Sequence, residues 1–246
     1  LIPSLAGASP ILEIIVCTVE DALAAAEGGA SRLEIISHYE AGGLTPSFDL
    51  VREITAAVPT PARVMLRETE PFVVDDETEI SRLCDAARAF ASLPIDGFVL
   101  GFVRESTGEP VTGGGMEIDH VLLERLLACA PDLNATFHRA FETLADPVRA
   151  VRELKRHPQI DCVLSRGAGE PWAAELGRFA QWEKVARPEI GMLLGGGTDE
   201  EAIKIFCKNS SIRAFHLGRS VREGEKLDGT VRADRVRKLA ELIRIY

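Results

Sequence analysis

Short, β-rich apolar runs alternate with longer segments of helical period almost from one end of the chain to the other. That alternation leaves few folds open. The runs cover residues 12–16, 32–36, 62–66, 97–100, 135–138, 161–164, 190–194 and 212–217. The segments between and after them, 19–26, 50–58, 80–93, 121–130, 148–154, 172–185, 201–207 and 231–245, carry apolar residues at three and four spacing. Thr18-x-x-Asp21 and Thr198-x-x-Glu201 have the form of capping boxes, and Asp146-Pro147 that of an N-cap followed by a first-turn proline. Eight β-then-α units, each about thirty residues long, predict a single-domain (β/α)8 TIM barrel over residues 1–246, with residues 1–10 as an N-terminal extension. A doubly wound open sheet needs the same alternation. The barrel is preferred because eight units close a circle and no Gly-rich dinucleotide fingerprint follows the first run.

The 246 residues are 46% hydrophobic, enough for one large core, and no apolar run approaches the ~18 residues of a membrane span. A net charge of −10 repels nucleic acid and anionic lipid, so neither is an expected partner. A small anionic ligand would have to be held by a local positive site, and self-association is left open. Residues 1–10 lack the pattern of a signal peptide. The five cysteines are far apart and odd in number, which reads as reduced, mostly buried thiols in a cytosolic protein.

Strand alternation assigns side chains. With the apolar set turned to the helices, Glu13, Ile15 and Cys17 face inward from the first strand, and Glu34 and Ile36 from the second. Arg67 faces inward at the end of the third, Thr136 and His138 on the fifth, and His216 on the eighth. Glu13, Glu34, Arg67, His138 and His216 should therefore converge in the barrel or at its upper rim. Buried carboxylates need partners, and Arg67 is the expected bridge. The cluster reads either as a structural polar plug or as an acid–base or metal site. Arg139 either reaches the mouth or pairs with Glu142. Gly195, Gly196 and Gly197 follow the seventh strand, and Gly218, Arg219 and Ser220 the eighth, where many barrels hold a phosphate. Tight turns with a solvated arginine are the alternative. Cys17 reads as a buried inert thiol, or as a nucleophile or soft-metal ligand. His120 and His157 are expected at the surface, and Trp172 and Trp182 in helix packing. The stretches 68–76 and 102–117 should overhang the mouth.

Several stretches, from Leu12 to Ser220, resemble the copper homeostasis (CutC) family of TIM-barrel proteins. They are Leu12-Glu13, Glu27-Gly28-Gly29-Ala30, Arg32-Leu33-Glu34, Gly42-Gly43-Leu44-Thr45-Pro46-Ser47, Val64-Met65-Leu66-Arg67, Asp96-Gly97, Thr136-Phe137-His138-Arg139-Ala140-Phe141, Gly195-Gly196-Gly197 and Phe215-His216. The resemblance implies a TIM barrel, a cytosolic location and a role in copper handling; the candidate copper ligands that this chain offers are Cys17, His138 and His216. The chain departs from the family where members carry a cysteine two residues after each strand glutamate. Here those positions are Ile15 and Ile36, so a thiolate pair suited to Cu(I) is replaced by an aliphatic one. Cys17 stands where the family tends to have Asp, and Glu68-Thr69-Glu70-Pro71-Phe72 replaces a Pro-Arg-Gly-Gly pattern. Copper handling is the function expected from the resemblance, and the alternative, which the residues at the mouth favour, is an isomerase or lyase acting on a small phosphorylated or carboxylated substrate. In that reading Glu34 and His138 are base and acid, Arg67 and His216 orient them or stabilise an enolate, and Gly196, Gly197 and Arg219 clamp the anion.

Overall fold

The structure is a computed structural model and describes residues 10–106 and 115–246. The expected extension over 1–10 lies, except for Pro10, outside them. In chain order the strands are β1 (Ile11–Val16), β2 (Arg32–Ile35), β3 (Ala62–Met65), β4 (Gly97–Leu100), β5 (Val103–Glu105), β6 (Met116–Ile118), β7 (Asn134–Phe137), β8 (Ile160–Ser165), β9 (Gly191–Leu194) and β10 (Ala214–Leu217). Eight of them close a parallel barrel in the order β1-β10-β9-β8-β7-β4-β3-β2. The open-sheet alternative falls, because β1 pairs with both β2 and β10 and leaves no edge. The stretch expected to be irregular over 102–117 instead contains a small antiparallel ribbon, β5 with β6; residues 107–114 are outside the described residues.

The outer helices are α1 (Val19–Gly28), α2 (Phe48–Ala57), α3 (Glu77–Phe90), α4 (His120–Leu127), α5 (Pro147–Leu154), α6 (Trp172–Ala186), α7 (Glu200–Asn209) and α8 (Ala233–Ile245). Most start on a side chain that accepts an otherwise orphaned backbone N–H. Thr18 caps α1, Ser47 α2, Asp76 α3, Asp119 α4, and Asp146 α5 with proline in the first turn. The box expected at Thr198 is displaced by one residue. Asp199 caps α7 through the amide of Ala202, and the Thr198 hydroxyl donates instead to the carbonyl of Leu194.

Alternation divides the interior as the sequence predicts. Leu12, Ile14, Val16, Leu33, Ile35, Val64 and Leu66 join the core between strands and helices, as do Trp172 and Trp182. Inside the ring lie two small apolar groups, Ile15, Ile36, Met65 and Val99 on one side and Cys162, Leu164 and Leu193 on the other. Charged residues fill the space that these two groups leave. All five cysteines are free, with Cys84, Cys162 and Cys207 buried and Cys17 and Cys129 partly so. Among the described residues no helix is long and apolar enough to cross a membrane.

Candidate active site

The lower half of the ring, toward the strand N-termini, is occupied by paired charges. Arg63 is 1% exposed. Its Nη1 and Nη2 donate to both oxygens of Asp161 at 2.7 and 2.6 Å, Nη1 also to the Thr136 hydroxyl at 2.7 Å, and Nε to Asp96 at 3.0 Å. Asp161 reaches inward because the β7–β8 register slips between Ala135 and Thr136, leaving it as the extra residue. Arg32 lies level with Glu13 across the β1–β2 pairing and donates its Nε to Glu13 Oε2. The bridge expected from Arg67 is therefore made by Arg32. Arg67 stands beyond the last residue of β3, too high to reach Glu13, whereas Arg32 is in register with it.

From Glu13 the network climbs. Glu13 Oε1 is 2.7 Å from His216 Nδ1, and His216 Nε2 is 3.7 Å from Glu34 Oε2. Burial raises the Glu13 carboxyl, but the charge of Arg32 and the bond to His216 outweigh it and hold the group well below the usual carboxylate range. Burial also acts on His216, where the two carboxylates overcome it and push the imidazole up, toward the charged form. Glu34 goes the other way. Burial, added to the repulsion of Glu13 and only partly offset by His216, lifts it to about 7. Two inward carboxylates thus differ in role: Glu13 is a fixed anion and Glu34 is poised to exchange a proton near neutrality.

His138, at the end of β7, is seated by its neighbours. The Ala140 amide donates to its Nδ1 at 3.1 Å, which places the proton of the neutral ring on Nε2. Gly101 makes room for it, since a Cβ there would come within 2.6 Å of Nδ1. Phe72 covers the ring at a centroid distance of 5.0 Å. Burial, with the charges of Arg67 and Arg139, drives its pKa down to about 3, so it is a neutral donor at any ordinary pH.

Above these residues opens a cavity of about 830 Å³, lined by Glu34, His138, His216 and Arg67 and by both glycine-bearing loops. Two buried polar atoms of its wall have no partner, Glu34 Oε1 and His138 Nε2. Buried polar atoms are rarely left so, and here both border one space. Gly196 and Gly197 adopt φ of +75° and +104°. Among the described residues their amides donate to nothing. Arg219 lines the same side, exposed and in no ion pair with a described residue, while Ser220 is tied to the Thr198 carbonyl at 2.8 Å. Gly218 lines the cavity as well, whereas Gly195 does not and packs on Leu164, which a Cβ there would meet at 2.3 Å. Arg139 does both things expected of it, lining the cavity while its guanidinium is held by Glu142 at 2.7 Å.

The sequence missed Arg32, Arg63, Tyr39 and Phe72. The two arginines were legible, because they share the inward phase of Glu34 and Arg67; Tyr39 and Phe72 come from loops without a periodic signal. His157 is not a surface residue. It is buried, with Nε2 2.8 Å from His120 Nδ1.

The donors do not suit copper. Among the described residues Glu13, Glu34 and His216 alone bring ligand atoms within 4.8 Å of one another, and Cys17, His138 and His216 do not. The oxygens of Glu13 already serve Arg32 and His216, so a cation there would meet two buried positive groups. Burial pushes the Cys17 thiol up to about 11, and among the described residues it belongs to no cluster of ligand atoms.

Barrel, mouth cavity and glycine loops together define a TIM-barrel protein with a cavity at its C-terminal face. The chain belongs to the CutC family, whose profile matches residues 10–221. It is 30% identical over 214 residues to the human copper homeostasis protein cutC homolog, covering 87% of this chain and 75% of that one. With a family protein CutC of Pasteurella multocida it shares 27% over 208 residues, covering 84% and 80%. The fold matches a putative copper homeostasis protein CutC from Streptococcus agalactiae, with a TM-score of 0.75 at 22% identity over 85% of this chain and 98% of that one. It also matches phosphoribosylanthranilate isomerase from Thermotoga maritima, at 0.56 and 14% over 96% and 99%.

Proposed function

We propose that the mouth is an acid–base site for a small carbonyl compound bearing a phosphate or carboxylate, and that the reaction is an isomerisation or lyase-type cleavage through an enolate. The observation that carries this reading is the pair of orphaned buried atoms, Glu34 Oε1 and His138 Nε2, on one cavity. Ionised Glu34 takes a proton from the carbon next to the carbonyl. The electron pair left behind moves onto the carbonyl oxygen, where the Nε2–H of His138 stabilises it. Where the deprotonated carbon bears a hydroxyl, His138 Nε2 gives its proton to the oxyanion and takes the hydroxyl's proton in exchange, and return of the proton from Glu34 to the former carbonyl carbon completes an isomerisation. His216, held by Glu13, sets the acidity of Glu34. The unpaired amides of Gly196 and Gly197, with Arg219, take the anionic group.

Copper handling is the second reading, supported by the names of the human and mouse relatives. The donor set favours the first, since the inward phase holds Ile15 and Ile36 where thiolates would be needed. Incubation in D2O with a panel of 2-oxo acids and hydroxyketone phosphates tests the choice. The expected result is deuterium at the carbon next to the carbonyl, abolished by Glu34→Gln. Stoichiometric Cu(I) held against a competing chelator, with no exchange on any compound, would overturn it.

A further inference from the structure

The cavity has a second positive pole, and it faces the first across the ring. Arg67 is buried yet makes no ion pair with any described residue; its nearest carboxylates, Glu34 and Glu70, both lie beyond 4.0 Å. Its Nε donates to the Thr69 carbonyl at 2.9 Å and Nη2 to the Ala41 carbonyl at 2.5 Å, and the guanidinium lies 5.2 Å from the Phe72 ring centroid. Neutral carbonyls and a ring orient a guanidinium without neutralising it. Nη1 takes no partner, and the side chain lines the cavity. A buried, oriented cation that no described carboxylate contacts, beside a cavity, favours an anion from outside, with Glu70 and Glu34 acting on it only at longer range.

Ring order places that cation. Three strands separate β3 from β9 in either direction, so Arg67 at the end of β3 and the Gly196–Gly197 loop after β9 are diametrically opposed. Arg219, after β10, is beside the second pole. Glu34 on β2 and His216 on β10 occupy one arc between the poles, and His138 after β7 occupies the other. A molecule laid from pole to pole therefore passes with Glu34 on one flank and His138 on the other.

We infer that the ligand of this chamber is an acyclic dianion with an acidic group at each end, a carboxylate or phosphate on Arg67 and a phosphate on the Gly196–Gly197–Arg219 pole, and its reacting carbons between them. This rests on the acid–base reading for what happens at the middle of the molecule, but not for how its ends are held. Arg67 is thus a substrate-binding residue that selects for charge at the far end, in place of a bridge between the protein's own carboxylates.

Calorimetric titration with inorganic phosphate, acetate and 3-phosphoglycerate tests the inference. The phosphocarboxylate should bind at least tenfold more tightly than the better of the two single-headed anions. Arg67→Gln should remove that advantage and leave phosphate affinity unchanged, Arg67→Lys should keep part of it, and Arg219→Gln should weaken phosphate and phosphocarboxylate alike. A phosphocarboxylate that binds no better than phosphate, or an advantage that survives in Arg67→Gln protein whose circular dichroism is unaltered, would overturn it. The two proposals fail separately. Dianion preference retained in Glu34→Gln, with no deuterium exchange in the wild type, would sink the acid–base reading alone. Exchange without dianion preference would sink this one alone.

Discussion

The lower and upper halves of the barrel interior are built from the same residue types and treat them in opposite ways. Below, Arg63 donates to two carboxylates and a hydroxyl, and Arg32 closes on Glu13. Above, Glu34 and His138 each keep a buried atom without a partner among the described residues, and Arg67 makes no ion pair with any of them. Burial is equal in the two halves, since Glu13, Glu34, Arg63 and His138 are all 3% exposed or less. Pairing differs, and that difference separates a lower half of closed charge networks from an upper half that carries the proposed site.

The largest effect expected from breaking the contrast is in the lower half. Glu13→Ala leaves Arg32 buried without a partner and should destabilise the protein by about 3–5 kcal/mol in urea unfolding, whereas Glu13→Leu with Arg32→Met should recover much of the loss. The next expected effect concerns Glu34. Its pKa is raised on folding from 4.5 to about 7, so the folded state gains from protonating it. That stabilisation is complete below pH 4.5 and is lost as pH climbs through 7. The change is on the order of a few kcal/mol, and Glu34→Gln should flatten this part of the stability profile. Catalysis has the opposite sign, with deuterium exchange rising toward a plateau above about pH 7. His216→Asn removes the positive charge that restrains Glu34 and should move that midpoint to higher pH.

Smaller effects sharpen the contrast. Gly101→Ala presses on the His138 ring, and should slow exchange by about tenfold or more while global stability changes by roughly 1–2 kcal/mol. The smallest change should be in melting temperature. Phosphate or sulfate should raise it by a few degrees, and Arg219→Ala should remove the rise; no shift in the wild type would dismiss the clamp.

Much of this was legible in the sequence. Period and ordinal position were enough for the eight units, the inward phase of Glu13, Glu34, His138 and His216, and the glycine loops after the last two barrel strands. Partner choice was not, because it depends on stagger between strands. Arg32 and Arg67 share an inward phase, and only the β1–β2 register decides which meets Glu13. The β7–β8 slip that turns Asp161 inward has no signature in residue type. Tyr39 and Phe72 reach the cavity from loops whose paths follow from packing, and the burial of His157 depends on its meeting His120.

The bond between Glu13 and His216 joins positions 203 apart in the chain. A nascent polypeptide still lacking its last strand holds Glu13, Glu34 and His138 but not the imidazole that links and tunes the two carboxylates. Competence would then come late and abruptly, with the seam between first and last strands. Fragments cut anywhere before that seam, however well their helices form, should be inert, and mixing complementary halves should restore activity only as far as the circle is completed.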